Sequence, residues 1–300
     1  MRIPHLPIWI KTIIIAVVTV LLVNVFALTL CTIPFGGMEN SIYPGEKVLI
    51  NKWSYGFRVP FSEKRLFPEL IRRGDVVLFN NPNPSESTIP VYNRPLYISR
   101  CVGIPGDTLM LNDEMLVTSD KIPTPDAKSL YSYPKSYEDT IMVLMNKIGI
   151  TNNRLAGYKD SSYIRSFSHY EYYLLKQQLP KFFPLEPLYK QNEEKGGHPF
   201  VIPSRGKSIT VYPWNVNLLC NTIIYHENRV AFVRNDSLFV DGNHVKSYKF
   251  GKDYYWMASN NPLNMSDSRL FGFVPEDHII GKAICILFSD KRERLFKRVE

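Results

Sequence analysis

A mainly β fold carried on one N-terminal apolar helix is what this 300-residue sequence predicts. Three observations carry that expectation. Tyr (18), Phe (17) and Pro (22) are abundant, while Ala-rich or Glu/Lys-rich helical stretches are scarce, a bias toward strands and fixed turns. Beyond the first 31 residues, short apolar runs alternate with turn residues. Residues 12–30 read TIIIAVVTVLLVNVFALTL, with no charged side chain until Glu39.

Taken in order, that stretch comes first. About 20 apolar residues in a helix cover the roughly 30 Å hydrocarbon layer of a bilayer, so residues 12–30 are expected to span it. A cleaved export signal has a shorter apolar core, about 7–15 residues, and ends at a small-x-small site; none follows Leu30. Leu30 also stands where a lipoprotein signal needs a small residue before its cysteine, here Cys31. Arg2 and Lys11 precede the span. The positive-inside rule then places the N-terminus in the cytoplasm and everything after Cys31 outside. The single Asn24 within the span reads as tolerated rather than as a helix-pairing device.

The following runs, residues 47–50, 76–79, 97–102, 108–111, 209–212, 229–233, 238–240 and 279–288, read as strands of a meandering antiparallel sheet. Asp241-Gly242 between two of them is a hairpin signal, because a type I′ turn needs positive φ at both central positions. Residues 119–197 change character to Tyr, Pro, Lys and polar residues, with helices expected over 137–147 and 170–178. The expected organisation is a cytoplasmic N-terminus and anchor (1–31), a β core in two parts (32–118 and 198–300), an insertion (119–197) and a basic C-terminal tail.

The formal charge is +8, yet the basic residues are scattered except for Lys291, Arg292, Arg294, Lys297 and Arg298. A solvated tail or anionic lipid accounts for that run, and no nucleic-acid partner is expected. Cys31, Cys101, Cys220 and Cys285 form no C-x-x-C pair, and the six histidines show no metal spacing. No metal or cofactor is expected. His278, after Glu276 and Asp277, reads as a surface residue.

Four ordered stretches then carry a resemblance. Pro34-Phe35-Gly36-Gly37-Met38-Glu39-Asn40-Ser41-Ile42-Tyr43-Pro44-Gly45-Glu46 is similar to P-S-G-S-M-x-P-T-L-x-x-G-D, and Arg73-Gly74-Asp75-Val76-Val77-Leu78-Phe79 to R-G-D-[IV]-V-V-F. Tyr97-Ile98-Ser99-Arg100-Cys101-Val102-Gly103-Ile104-Pro105-Gly106-Asp107 is similar to Y-[IV]-K-R-[VI]-[VI]-G-x-P-G-D. Residues 254–277, with Asp267-Ser268-Arg269 and Phe271-Gly272-Phe273-Val274-Pro275, match M-G-D-N-R-x-N-S-x-D-S-R-x-[WF]-G-x-V-P. Together they resemble the type I signal peptidases, membrane serine proteases that remove export signals at the outer membrane face.

That resemblance implies a serine nucleophile and a neutral lysine as its base. In register, the serine falls on Gly37 and the lysine on Ser99. The oxyanion hydroxyl falls on Phe35, and a supporting serine falls on Met265. The G-D-N-R start reads Ser259-Asn260-Asn261-Pro262. Asp267 and Arg269 are kept, as a charge pair that pins the fourth segment, and the resemblance points to Met38, Ile98 and Cys101 as lining a peptide groove. Ser41 replaces a threonine whose hydroxyl is expected to bond nearby backbone. The expected protein is a single-pass homologue in a bacterial plasma membrane, its main domain on the periplasmic or extracellular side. It does not hydrolyse peptides and holds export signals or preproteins. Two alternatives stand beside this: an active signal peptidase working by an altered mechanism, and a structural or regulatory partner of an active homologue that binds through the insertion.

Overall fold

The computed structural model describes residues 7–59, 65–83, 88–111, 128–150, 153, 155–188, 198–261, 263 and 266–299. Met265 therefore lies outside the described residues. Helix α1, Ile8–Phe26, has 19 residues, about 28 Å at 1.5 Å per residue. Lys11 near its start is the one charged residue of the helix, and large apolar side chains from Ile8, Trp9 and Ile13 to Leu21, Leu22 and Val23 are exposed along it. The expected span is corrected at its end. Chain 28–32 is strand β1 (Leu28–Thr32), whose backbone pairs in register with β2 (Lys47–Asn51), Leu28 opposite Asn51 and Thr32 opposite Lys47. Among the described residues, no helix is long and apolar enough to cross a membrane.

The central sheet has seven strands and adds β3 (Val76–Asn80), β4 (Leu96–Gly103), β5 (Tyr254–Ala258), β6 (Val274–Pro275) and β7 (Ile279–Phe288). Their order is β1-β2-β7-β3-β4-β5-β6, with antiparallel neighbours. This is not a plain meander, because the last strand inserts between β2 and β3. Gly281 allows that insertion: a Cβ there would meet the Asn51 carbonyl oxygen at 2.4 Å. Apolar side chains cover both faces of the sheet, Val76 and Leu78 on one and Val77 and Phe79 on the other. One cluster joins Ile33, Met38, Ile42, Val48, Ile50, Val76 and Ile286. Another joins Tyr55, Val77, Phe79, Cys101, Tyr255 and Met257.

The described part of the insertion has a core of its own. Strands Lys128–Pro134, Leu155–Lys159, Ser162–Ser168 and Glu186–Pro187 form a four-stranded sheet. Helices α2 (Glu138–Lys147) and α3 (His169–Gln178) accompany it, and Tyr131, Tyr133, Ile141, Phe167 and Leu175 are buried there. Ser168 and Glu171 cap α3 reciprocally. Helix α4, Val216–His226, has no counterpart in the expected elements. It buries Val216, Leu219, Cys220 and Ile223, the i, i+3, i+4, i+7 stripe of an amphipathic helix.

Two surface expectations are also corrected. His278 is buried: its Nδ1 lies 2.7 Å from Asp277 Oδ1 and its Nε2 3.2 Å from Arg94 Nη1. The basic run is not a free tail either. Arg298 bridges back to Cys285, and Arg294 is buried against Glu46, its Nε 2.6 Å from Oε1.

Candidate active site

The nucleophile position stands on a tight turn. Gly36–Met38 form one turn of 3-10 helix after Phe35, and the turn packs against β4. Gly37 is half-buried there, and its carbonyl oxygen accepts a hydrogen bond from Asn261 N at 2.9 Å. Phe35 points outward and is 68% exposed, so its ring covers no oxyanion and offers no donor. Ser99, at the base position on β4, is fully buried opposite Val77 of β3. Its hydroxyl donates to the Ser266 carbonyl oxygen at 3.1 Å. Ser259 Oγ is buried with no hydrogen-bond partner among the described residues.

The residues behind the turn form a dense polar set that pattern reading alone did not assemble. Arg100 is buried on β4. It donates through Nη2 to Ser41 Oγ (2.8 Å), through Nε to Asn260 Oδ1 (3.2 Å) and through Nη1 to the Gly74 carbonyl (2.9 Å). Asn260 Nδ2 also donates to Ser41 Oγ (3.0 Å) and to the Glu39 carbonyl (3.3 Å). The Ser41 hydroxyl therefore accepts from two distant side chains, not only from nearby backbone. Asn261 Nδ2 donates to Glu39 Oε2 (3.0 Å), and the same oxygen lies 3.3 Å from Lys128 Nζ. On the far side, Arg294 Nη2 donates to the Ser41 carbonyl at 2.9 Å. Burial alone would raise the Glu46 carboxyl, but hydrogen bonds from Arg294, Tyr43 N and Ser289 outweigh it and hold Glu46 below the usual carboxylate range.

Asp267 is fully buried and clamps the fourth segment. Its Oδ2 accepts from Ser259 N at 2.7 Å and from Arg269 Nη2 at 2.5 Å, and its Oδ1 accepts from Arg269 N at 3.0 Å. Of the three groove candidates, only Ile98 is partly open. Met38 lies in one apolar cluster, and Cys101 lies in the other, where burial pushes its thiol well above the ordinary range. The groove expectation is corrected for both, because their side chains point into the core. β5 pairs with β4 at Arg100, Cys101 and Gly103, which leaves β3 as the only strand partner of residues 96–99 among the described residues. That edge runs beside the Gly36–Met38 turn and can accept an extended chain. Among the described residues, no group of three or more His, Cys, Asp or Glu side chains could hold a metal ion.

Arg100 and Asn261 were visible as motif letters, but their roles were not. Lys128 gave no signal, because it lies within the insertion and meets Glu39 only through the fold.

Comparison with known proteins agrees with this architecture. The family description "Signal peptidase, peptidase S26" matches residues 6–178 and 214–288. Signal peptidase I of Buchnera aphidicola subsp. Baizongia pistaciae is 25% identical over 276 residues, 90% of this chain and 72% of that protein. Signal peptidase I of Helicobacter pylori strain 26695 is 24% identical over 287 residues, 94% of this chain and 80% of that protein. Signal peptidase I of Rickettsia akari is 29% identical over a shorter stretch of 110 residues, 34% of this chain and 38% of that protein.

Proposed function

Because the chain belongs to the signal peptidase family, peptidase S26, we propose that it is a non-catalytic member that holds an extended export signal without cutting it. One observation carries this reading. The loop that would present the nucleophile is tied at Gly37, Glu39, Ser41 and Glu46 by Asn261, Asn260, Arg100 and Arg294, yet Gly37 has no side chain to attack a carbonyl. The hydroxyl at the base position is bonded to a backbone carbonyl. A shape retained without its reacting atoms fits binding rather than turnover, because loss of the nucleophile alone costs several orders of magnitude in rate while binding survives.

Membrane anchoring through α1, with the N-terminus cytoplasmic, is part of the same proposal. Beyond Lys11 the helix has no charged residue and exposes large apolar side chains along its length, a surface that lipid satisfies where water does not. The alternative of a docking partner for an active homologue draws on the insertion, which exposes Tyr158, Tyr170, Tyr173 and Phe182.

The test is preprotein cleavage by the detergent-solubilised chain beside a Gly37→Ser/Ser99→Lys variant, with binding of a fluorescent export-signal peptide measured on both. The expected result is binding by both proteins and no cleavage by the natural chain. Cleavage by the natural chain at the export-signal site, at a rate like that of an ordinary family member, overturns the reading.

A further inference from the structure

We infer that Lys128 is a positioning residue that couples the insertion to the peptide-binding loop, so that the loop keeps its binding shape only while the insertion is docked on it. The inference rests on the peptide-binding reading above and deepens it by making the insertion part of that site.

Lys128 opens the first described strand of the insertion, and only 2% of its side chain is exposed. Its ammonium lies between two carboxylates from different elements, 3.3 Å from Glu39 Oε2 on the loop and 3.8 Å from Glu171 Oε1 in the first turn of α3. Its backbone N–H donates to the Asn260 carbonyl at 2.6 Å. The adjacent Asn261 closes the chain of contacts: its side chain holds Glu39 Oε2, and its backbone N–H holds the Gly37 carbonyl. Glu171 is fixed in turn, because its Oε2 accepts the Ser168 N–H at 2.7 Å. From α3 to Gly37 the path is therefore Glu171, Lys128, Glu39, Asn261, Gly37, without a gap. The turn it reaches is the one that packs against β4 near residues 96–99, which pair only with β3 among the described residues.

The physics gives this arrangement a signature. Removing one partner of a buried ion pair leaves an uncompensated charge, whereas removing both is close to neutral. A purely local stabilising contact would lower the stability of its own strand. A coupling contact moves the loop when the insertion is changed, and the insertion when the loop is changed.

The experiment uses the full chain in detergent, with backbone amide exchange read over residues 36–42 and 128–134, thermal unfolding as a global control, and affinity for the fluorescent export-signal peptide. Lys128→Met is expected to speed exchange over 36–42 by about 100-fold and to weaken the peptide by about tenfold. Adding Glu39→Gln and Glu171→Gln in the same chain neutralises both carboxylates that Lys128 faces, leaves a glutamine able to cap α3, and is expected to return both readouts to within about threefold of the natural protein. Unchanged exchange over 36–42 in Lys128→Met, or a rise spread evenly over the whole chain, overturns the inference. If Lys128→Met does not fold, Glu39→Gln alone is read over 128–134. Faster exchange there supports the coupling, and unchanged exchange refutes it. A natural chain that binds no peptide, but whose loop still responds to Lys128→Met, upholds the coupling and removes the peptide-binding reading.

Discussion

Asp267→Asn replaces one carboxylate oxygen by an amide and changes almost no volume, yet the geometry makes it severe. Both oxygens accept only donors: Oδ2 faces Ser259 N and Arg269 Nη2, and Oδ1 faces Arg269 N and Nε. Whichever way the new amide turns, its N–H₂ meets an N–H, and the Arg269 guanidinium, 7% exposed, loses its counter-charge. Breaking a buried ion pair in this way costs about 3–5 kcal/mol. At roughly 2.1 cal/mol/K of unfolding entropy per residue, a 300-residue chain shifts by about 1.6 °C per kcal/mol. The expected fall in Tm is therefore about 5–8 °C for a two-state transition. Thermal unfolding followed by circular dichroism and by urea titration measures it. A loss below about 1 kcal/mol, the range of an exposed pair, refutes the claim that this carboxylate is a buried clamp.

Two further predictions concern buried charge. Arg100→Met removes the donor to Gly74, Asn260 and Ser41. Ser41 keeps Asn260 as a donor, so two buried acceptors are left short, at about 1–3 kcal/mol each; the loss should be about 2–6 kcal/mol, read by urea unfolding at neutral pH. His226 is pushed down to about 3 by burial first and by the neighbouring His278 ring next, with Lys252 and Arg94 adding and Asp277 opposing. A folded value below the unfolded 6.5 means that the unfolded chain takes the proton first. The stability this histidine contributes is complete above pH 6.5 and is lost as pH falls toward 3, by roughly 1.4 kcal/mol per pH unit. His226→Gln should flatten the stability profile over that window, and an unchanged slope contradicts the assignment.

How much of this was legible in the chain depends on the range of the interaction. The strands at 76–80, 96–103 and 108–111 declare themselves through β-branched and apolar runs flanked on one side by Gly-Asp or Pro-Gly turns, and Asp241 and Gly242 take the positive φ values their hairpin needs. Leu28–Thr32 misled because hydropathy does not distinguish the last turn of an apolar helix from an apolar strand; only its pairing with β2 does. In α4 the helical stripe was present, but its Val and Ile residues look equally like strand. At the site, the loss of the reacting groups was plain from Gly37 and Ser99. The hold on the loop was not, since Lys128 and Glu39 lie 89 residues apart and Arg294 lies 253 beyond Ser41. Contacts of that kind leave no periodic trace.

A single residue, Ala27, separates the last turn of α1 from the first residue of β1, and Lys52 N pins its carbonyl at 2.9 Å. Such a junction has no slack. With no linker between them, a tilt of the helix acts directly on the edge of the sheet, and the five residues of β1 carry the chain about 16 Å from the junction, at about 3.3 Å per residue, before it enters the loop that holds Gly37. The helix and the sheet are therefore joined without a flexible tether. Under the peptide-holding and anchoring reading proposed above, an extended chain would meet the right part of the sheet only at the height that this junction sets.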